Sequence, residues 1–308
     1  MATYSDEGVV LRTIRLGEAD RIVTFATPEH GKVRAVAKGI RKTKSRLAGR
    51  LEPLTHVKMM CWRGRELDVV NQVEAIQHFK AIRADLDRVP VALTMLEVVD
   101  HIALERQPME QLFRMLLGAL RTLEERISPA LLGAFLWKLL ALEGVGPSLE
   151  CCAGCGNEVE LVAFDAGEGG FLCRSCRRGQ AVSPETVRLI RQVLTGGLRQ
   201  ALEMPPSRIT AEAERLAMLA TEHHLDRRVR SAHRGAEITT AGWRDDRPAR
   251  QDDASSLEEA AGDPSAHDAT GQGTEPDQDP TTEAALEAES AIRPEPLLDD
   301  AGWPPLAS

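Results

Sequence analysis

Two hydrophobic periods divide the chain. Near the start, apolar and polar positions alternate in short runs. Val9-Val10-Leu11 and Ile22-Val23-Thr24-Phe25 are rich in β-formers, and Leu16-Gly17-Glu18-Ala19-Asp20 between them reads as a turn. Lys32 to Ala37 alternates basic with apolar residues, which predicts a strand with an inward apolar face and an outward basic one. Leu54 to Trp62 and Glu66 to Val70 follow, parted by the hairpin signal Arg63-Gly64-Arg65. Five such runs between Gly8 and Val73 suit a small closed barrel better than an open sheet.

From Phe79 the period lengthens. Val91–Leu104 and Gln111–Leu123 read as helices, and Leu131, Leu132, Phe135, Leu136, Leu139 and Leu140 predict an amphipathic one. Ser128-Pro129 is read as the N-cap and first residue of that helix, with Gly144 and Gly146-Pro147 stopping it. Ser183-Pro184-Glu185 repeats the cap before a helix to about Leu202. Pro205-Pro206 interrupts, and a last helix is expected from Thr210 to about Val229. The leucine and methionine stripes are core positions.

Beyond Trp243 the apolar residues thin out, which predicts a disordered tail over 241–308. The charge is segregated with it. From Asp245 to Ser308 there are 17 acidic and 3 basic residues, whereas the rest holds 35 basic and 30 acidic, so a body of +5 carries a tail of −14. That asymmetry suggests a nucleic-acid-binding body with a separate charged appendage. The tail ends in the acidic and hydrophobic run Leu297 to Leu306, read as solvated chain, or else as a partner motif or a strip competing with nucleic acid for the body.

Chemistry concentrates in two places. Cys152-Ala-Gly-Cys155-Gly156 and Cys173-Arg-Ser-Cys176 are paired C-x-x-C knuckles, the spacing of one tetrahedral four-thiolate Zn2+ site. Four thiolates leave no open position, so the zinc is read as structural. Disulfides are the alternative, but no hydrophobic signal segment opens the chain and a reducing cytoplasm is expected. Cys151 would give a C-x-x-x-C spacing, so Cys152 is preferred, and Cys61 reads as a buried, inert thiol. The second place is Gly31 to Leu51, which holds no acidic residue. Lys32, Arg34, Lys38, Arg41, Lys42, Lys44 and Arg46 form a basic strand face and loop able to follow a phosphate backbone. Phe25 and Trp62 are the only strand aromatics, so binding is expected to rest on phosphates more than on stacking.

Several function classes drop out. No G-x-x-x-x-G-K-[ST], H-E-x-x-H or G-x-S-x-G motif occurs, and no nucleophile has a plausible base. His223-His224 reads as a polar helix face, and Glu18 and Asp20 lie too near a turn for paired acid–base work. No run approaches the ~18 apolar residues of a membrane span. The reading is therefore a non-enzymatic protein without a membrane partner. Its other form is a generic zinc-ribbon nucleic-acid-binding or transcription factor.

Gly8-Val9-Val10-Leu11-Arg12, Gly17-Glu18-Ala19-Asp20-Arg21-Ile22, Gly31, Ala37-Lys38-Gly39-Ile40-Arg41-Lys42, Lys44-Ser45-Arg46 and Leu51-Glu52-Pro53-Leu54 resemble the N-terminal barrel of the RecO family of recombination mediators. Gly146-Pro147-Ser148-Leu149, the first knuckle, and Gly169-Gly170-Phe171 before the second resemble its zinc-bearing element. The resemblance covers about residues 1–234. It implies an α+β, multidomain chain: a five-stranded OB-type barrel over 1–78, then an α-helical domain over 79–240 with the zinc element at 150–180. It also implies binding to single- and double-stranded DNA, annealing of complementary strands, and action on strands coated by single-strand-binding protein. RecR, and in some settings RecF, would be partners in loading RecA, in the cytoplasm at the nucleoid. Lys38, Arg41, Lys42, Lys44 and Arg46 would be the DNA-contacting loop, and Cys152, Cys155, Cys173 and Cys176 the metal ligands.

Overall fold

The computed structural model describes residues 2–42, 45 and 47–233; the predicted tail lies outside them. Five strands form the first unit of structure: β1 (Thr3–Leu16), β2 (Asp20–Thr27), β3 (Gly31–Ala37), β4 (His56–Trp62) and β5 (Asp68–Gln77). They close into a barrel in the order β1-β2-β3-β5-β4, with β3 and β5 parallel and every other pair antiparallel. The barrel is OB-like. Val10, Val23, Phe25, Val33, Ala35, Val57, Met59 and Cys61 fill its interior. Burial pushes the Cys61 thiol up to about 12, in keeping with an inert core residue.

The run Val9-Val10-Leu11 is continuously apolar because β1 is buried on both faces. Val10 points into the barrel, while Val9 and Leu11 join the core of the helical domain. A bulge between Val10 and Arg12 accompanies the switch.

The helical domain follows: α1 (Lys80–Ala84), α2 (Arg88–Ile102), α3 (Glu110–Glu125), α4 (Leu131–Leu142), α5 (Pro184–Leu194), α6 (Leu198–Leu202), α7 (Arg208–His224) and α8 (Arg230–His233). Between α4 and α5 lies a small sheet, β6 (Leu161–Asp165), β7 (Gly170–Cys173) and β8 (Gln180–Ala181), in the order β7-β6-β8. None of the described helices is long and apolar enough to cross a membrane.

Four local expectations need correction. The helix after Ser128-Pro129 begins two residues later, at Leu131; Ser128 Oγ instead accepts from the Ala130 N–H (3.3 Å) in the preceding turn. That helix, α4, is buried almost all round rather than amphipathic, because Gly133, Ala134, Trp137 and Lys138 are enclosed along with the leucines. The expected single helix to Leu202 is split, since Gly196 takes φ +102 and Gly197 follows it. The last helix starts earlier, at Arg208, because Ser207 and Thr210 form a capping box, and it stops at His224. The Ser183 cap stands as read, its side chain accepting from the Thr186 N–H (3.3 Å).

Barrel and helical domain share one apolar core, in which Val9, Leu11, Ala26 and Leu54 pack with residues of α1 to α4. At their seam the chain after α2 runs along the start of β3. The Lys32 N–H donates to the Leu104 carbonyl (3.0 Å), and the Arg106 N–H to the Lys32 carbonyl (3.3 Å). Gly31 makes the approach possible. It has φ +68, and a Cβ there would lie 1.9 Å from the Gln107 carbonyl oxygen. Gly31→Ala is therefore expected to lower stability by about 3 kcal/mol or more, from backbone strain plus a clash that neither main chain can avoid. Gly17→Ala, at φ +56 with open space around it, should lose only about 1 kcal/mol. Urea unfolding of the two variants checks this, and equal losses would refute it.

Candidate nucleic-acid interface and metal centre

The metal centre is assembled from a loop and a strand end. Cys152 and Cys155 lie in the loop after α4, Cys173 ends β7, and Cys176 lies in the turn beyond. Their four sulfurs lie within 4.8 Å of one another. The first knuckle closes through the Gly156 N–H donating to the Cys152 carbonyl (2.8 Å), and it is tied to β7 by the Ala153 N–H donating to the Phe171 carbonyl (2.8 Å). A Cβ on Gly154 would come within 3.3 Å of Cys176 Cβ, so the glycine leaves room for the second knuckle. Cys151 stays outside the cluster, with its sulfur 3.3 Å from Ser148 Oγ. The choice of Cys152 over Cys151 thus agrees with the geometry.

The donor set suits a soft cation. The Cys173 N–H, 3.3 Å from Cys152 Sγ, leads a group of backbone donors that holds the Cys152 thiol down to about 6. Hydrogen bonding to the Cys155 and Cys173 sulfurs pushes Cys176 the other way, to about 12. Four thiolates this close cannot all ionise by themselves, and a divalent ion at their centre removes that repulsion. The element is also built into the core. Phe164 and Phe171 pack against Trp137 of α4 with centroids 5.8 and 6.2 Å away, and Trp137 Nε1 donates to the Ala213 carbonyl of α7 (3.0 Å).

A second group, Asp6, Glu29 and His30, also brings three potential ligand atoms within 4.8 Å, and no sequence spacing announced it. Its buried member is already employed: Asp6 accepts from the His30 ring Nδ1 (2.8 Å), the His30 N–H (3.2 Å) and the Glu7 N–H (2.8 Å). It reads as the clasp of the β2–β3 turn.

The basic residues fall into two sets. Lys38, Arg41 and Lys42 are exposed on the loop between β3 and β4. Ile40 and Leu51 from this loop are buried in the barrel core, and Leu47 packs against it. Polar ties add to that anchor: the Gly39 N–H donates to Asp20 Oδ1 (2.6 Å), the Arg41 N–H to the Ala19 carbonyl (2.9 Å), and Arg50 Nη1 to the Val73 carbonyl (2.9 Å). Cations are thus held outward over an apolar plug at one barrel end. Lys44 and Arg46 lie outside the described residues. Lys32 and Arg34 form the other set, on β3 against the helical domain. Lys32 Nζ donates to the Asp100 carbonyl (2.7 Å), and Arg34 lies 3.7 Å from Glu105. Asp100 also takes Arg12 at 2.6 Å. Of the two strand aromatics singled out in the sequence, Phe25 is fully buried and Trp62 is 41% exposed; Tyr4, which that reading left out, also lies in the barrel, on β1.

Residues 1–79 match the family model described as Recombination protein O N terminal, and residues 83–233 match Recombination protein O C terminal. The chain belongs to the RecO family. Relatives carrying the name DNA repair protein RecO agree. The one from Frankia casuarinae is 44% identical over 237 residues, covering 75% of this chain and 97% of the relative. That of a Nocardioides species is 41% identical over 237 residues, covering 74% and 97%. That of Cutibacterium acnes is 37% identical over 241 residues, covering 75% and 98%. The C-terminal RecO match spans α2 to α8 together with all four clustered cysteines.

Proposed function

We propose that this RecO-family chain is a non-enzymatic recombination mediator in DNA repair. In this reading it binds single- and double-stranded DNA, anneals complementary strands, and helps load RecA on strands coated by single-strand-binding protein. RecR, and in some settings RecF, are the partners. The observation that carries the reading is the exposed cationic loop pinned to the end of an OB-like barrel by Ile40, Leu47 and Leu51. Annealing opposes the repulsion between two phosphate chains, and fixed cations screen it without any bond being made or broken.

The interface is assigned to Lys38, Arg41, Lys42, Lys44 and Arg46, with a smaller share for Lys32 and Arg34, which are also engaged at the domain seam by Asp100 and Glu105. The ion is assigned as Zn2+ on Cys152, Cys155, Cys173 and Cys176, since four sulfurs in a closed set are the structural-zinc pattern. The functional units are 1–78 for DNA, 79–240 with the zinc element at 150–180, and the acidic tail 241–308. The protein would act in the cytoplasm, at the nucleoid. The generic zinc-ribbon reading is less well supported, because Phe164 and Phe171 build the element into the helical core instead of presenting it as a separate reader.

The test is the annealing rate of two bare complementary oligonucleotides with rising amounts of protein. Acceleration that fades with salt supports the proposal; no acceleration at any salt removes annealing from it.

A further inference from the structure

A row of apolar side chains crosses the outer face of the barrel. Ile14 pairs with Ile22, Ile22 with Val36, Val36 with Val69, and Val69 with Trp62. Directly paired residues share a face of the sheet. Their chain neighbours Val23, Ala35, Val70 and Cys61 line the interior core, so this row is on the outside. Ile22 and Val36 are covered, at 2% and 9% exposure, Val69 is half-buried, and the row opens at the indole of Trp62.

The open end is framed by cations. Arg63 and Arg65 are exposed in the turn that follows Trp62. Arg106 reaches that turn from the helical domain, donating through Nη2 to the Gly64 carbonyl (3.1 Å) and the Arg65 carbonyl (3.2 Å). Its backbone takes φ +60, an uncommon conformation for a residue other than glycine. The turn is further fixed by the Gly64 N–H donating to Asp68 Oδ1 (2.9 Å), and Arg63 lies over the Tyr4 ring at 5.4 Å. Val36 is two strands from Trp62, roughly 10 Å, and the exposed Lys38 lies just beyond the end of β3. Among the acids here, Asp68 is engaged by Tyr4 and Arg106 and Glu105 faces Arg34, while Glu66 is exposed.

We propose that Trp62 is a stacking platform for an unpaired base of single-stranded nucleic acid. Arg63 and Arg65 hold the flanking phosphates, and Arg106 is a positioning residue for the turn that carries them. The inference rests on the nucleic-acid reading of the barrel and deepens it. The cationic loop sees phosphates, which single strands and duplexes both offer. An indole beside guanidinium groups also takes the flat face of a base, which a duplex keeps in its own stack. This site would therefore favour single strands over duplexes at the barrel.

The experiment compares the full chain with Trp62→Ala and Trp62→Phe, titrated into a labelled oligothymidine and into a duplex of equal length. Trp62→Ala is expected to weaken single-strand binding on the order of tenfold, to change duplex binding less than about twofold, and to leave the salt slope of single-strand binding unchanged. Trp62→Phe, which keeps a flat ring, should retain most of the affinity. Equal losses on both substrates, or no loss on either, would overturn the inference while leaving the nucleic-acid reading in place. If the unsubstituted chain binds neither substrate, both fall together.

Discussion

Removing the metal, or replacing Cys152 and Cys173 together with serine, is expected to unfold the element around residues 150–180 and to destabilise the helical domain with it. The two residues hold opposite knuckles, and the Cys173 N–H is itself a donor to the Cys152 sulfur (3.3 Å). β6 to β8 are short, and β8 has two residues, so the backbone ladder alone is a weak restraint. Losing their register would pull Phe164 and Phe171 away from Trp137, whose indole is bound to α7. Structural zinc binding carries roughly 10–16 kcal/mol, comparable with the ~5–15 kcal/mol that holds a whole domain together. Chelation should therefore lower the thermal midpoint by tens of degrees, with one zinc released per chain. Cys151→Ser, adjacent in sequence but outside the cluster, should melt like the parent. A chelated protein with an unchanged midpoint would contradict the structural role.

Replacing Lys38, Arg41, Lys42 and Lys44 together with glutamine should weaken DNA binding and flatten its salt dependence. Every cation that no longer neutralises a phosphate of a single strand takes about 0.7 off the slope of log K against log salt, so four take off about 3. The fold should survive, since the apolar anchors Ile40, Leu47 and Leu51 are untouched. Lys32→Gln and Arg34→Gln make a useful contrast. Their cations face Asp100 and Glu105 across the domain seam, so substitution should register in unfolding more than in the slope. A quadruple variant that keeps the parental slope would exclude the loop as the phosphate-binding surface.

Much of the fold was legible because local pattern and tertiary environment agree. The strand alternation marked the barrel interior, and the two C-x-x-C knuckles marked four sulfurs that do converge. What escaped depends on neighbours distant in sequence. Nothing near Lys32 announces Asp100, and nothing near Gly31 announces the Gln107 carbonyl that requires a glycine. The full enclosure of α4 follows from α5 and α7 packing around it, which a helical period cannot report. The strands β6 to β8 escape a period-based reading because they have only five, four and two residues. Nothing in the basic run around Lys38 marks Ile40 as a core residue, yet it is buried in the barrel between the exposed Lys38 and Arg41. The exposure of Trp62 is a matter of register: Cys61 beside it faces inward, so the indole faces out.

The most direct test of the central claim is the annealing of complementary strands pre-coated with the cognate single-strand-binding protein. A mediator should accelerate annealing of the coated strands, and the variant lacking Lys38, Arg41, Lys42 and Lys44 should not. If the protein binds DNA yet leaves coated strands as slow to anneal as they are alone, the chain is a nucleic-acid-binding module of the RecO family without the mediator's activity.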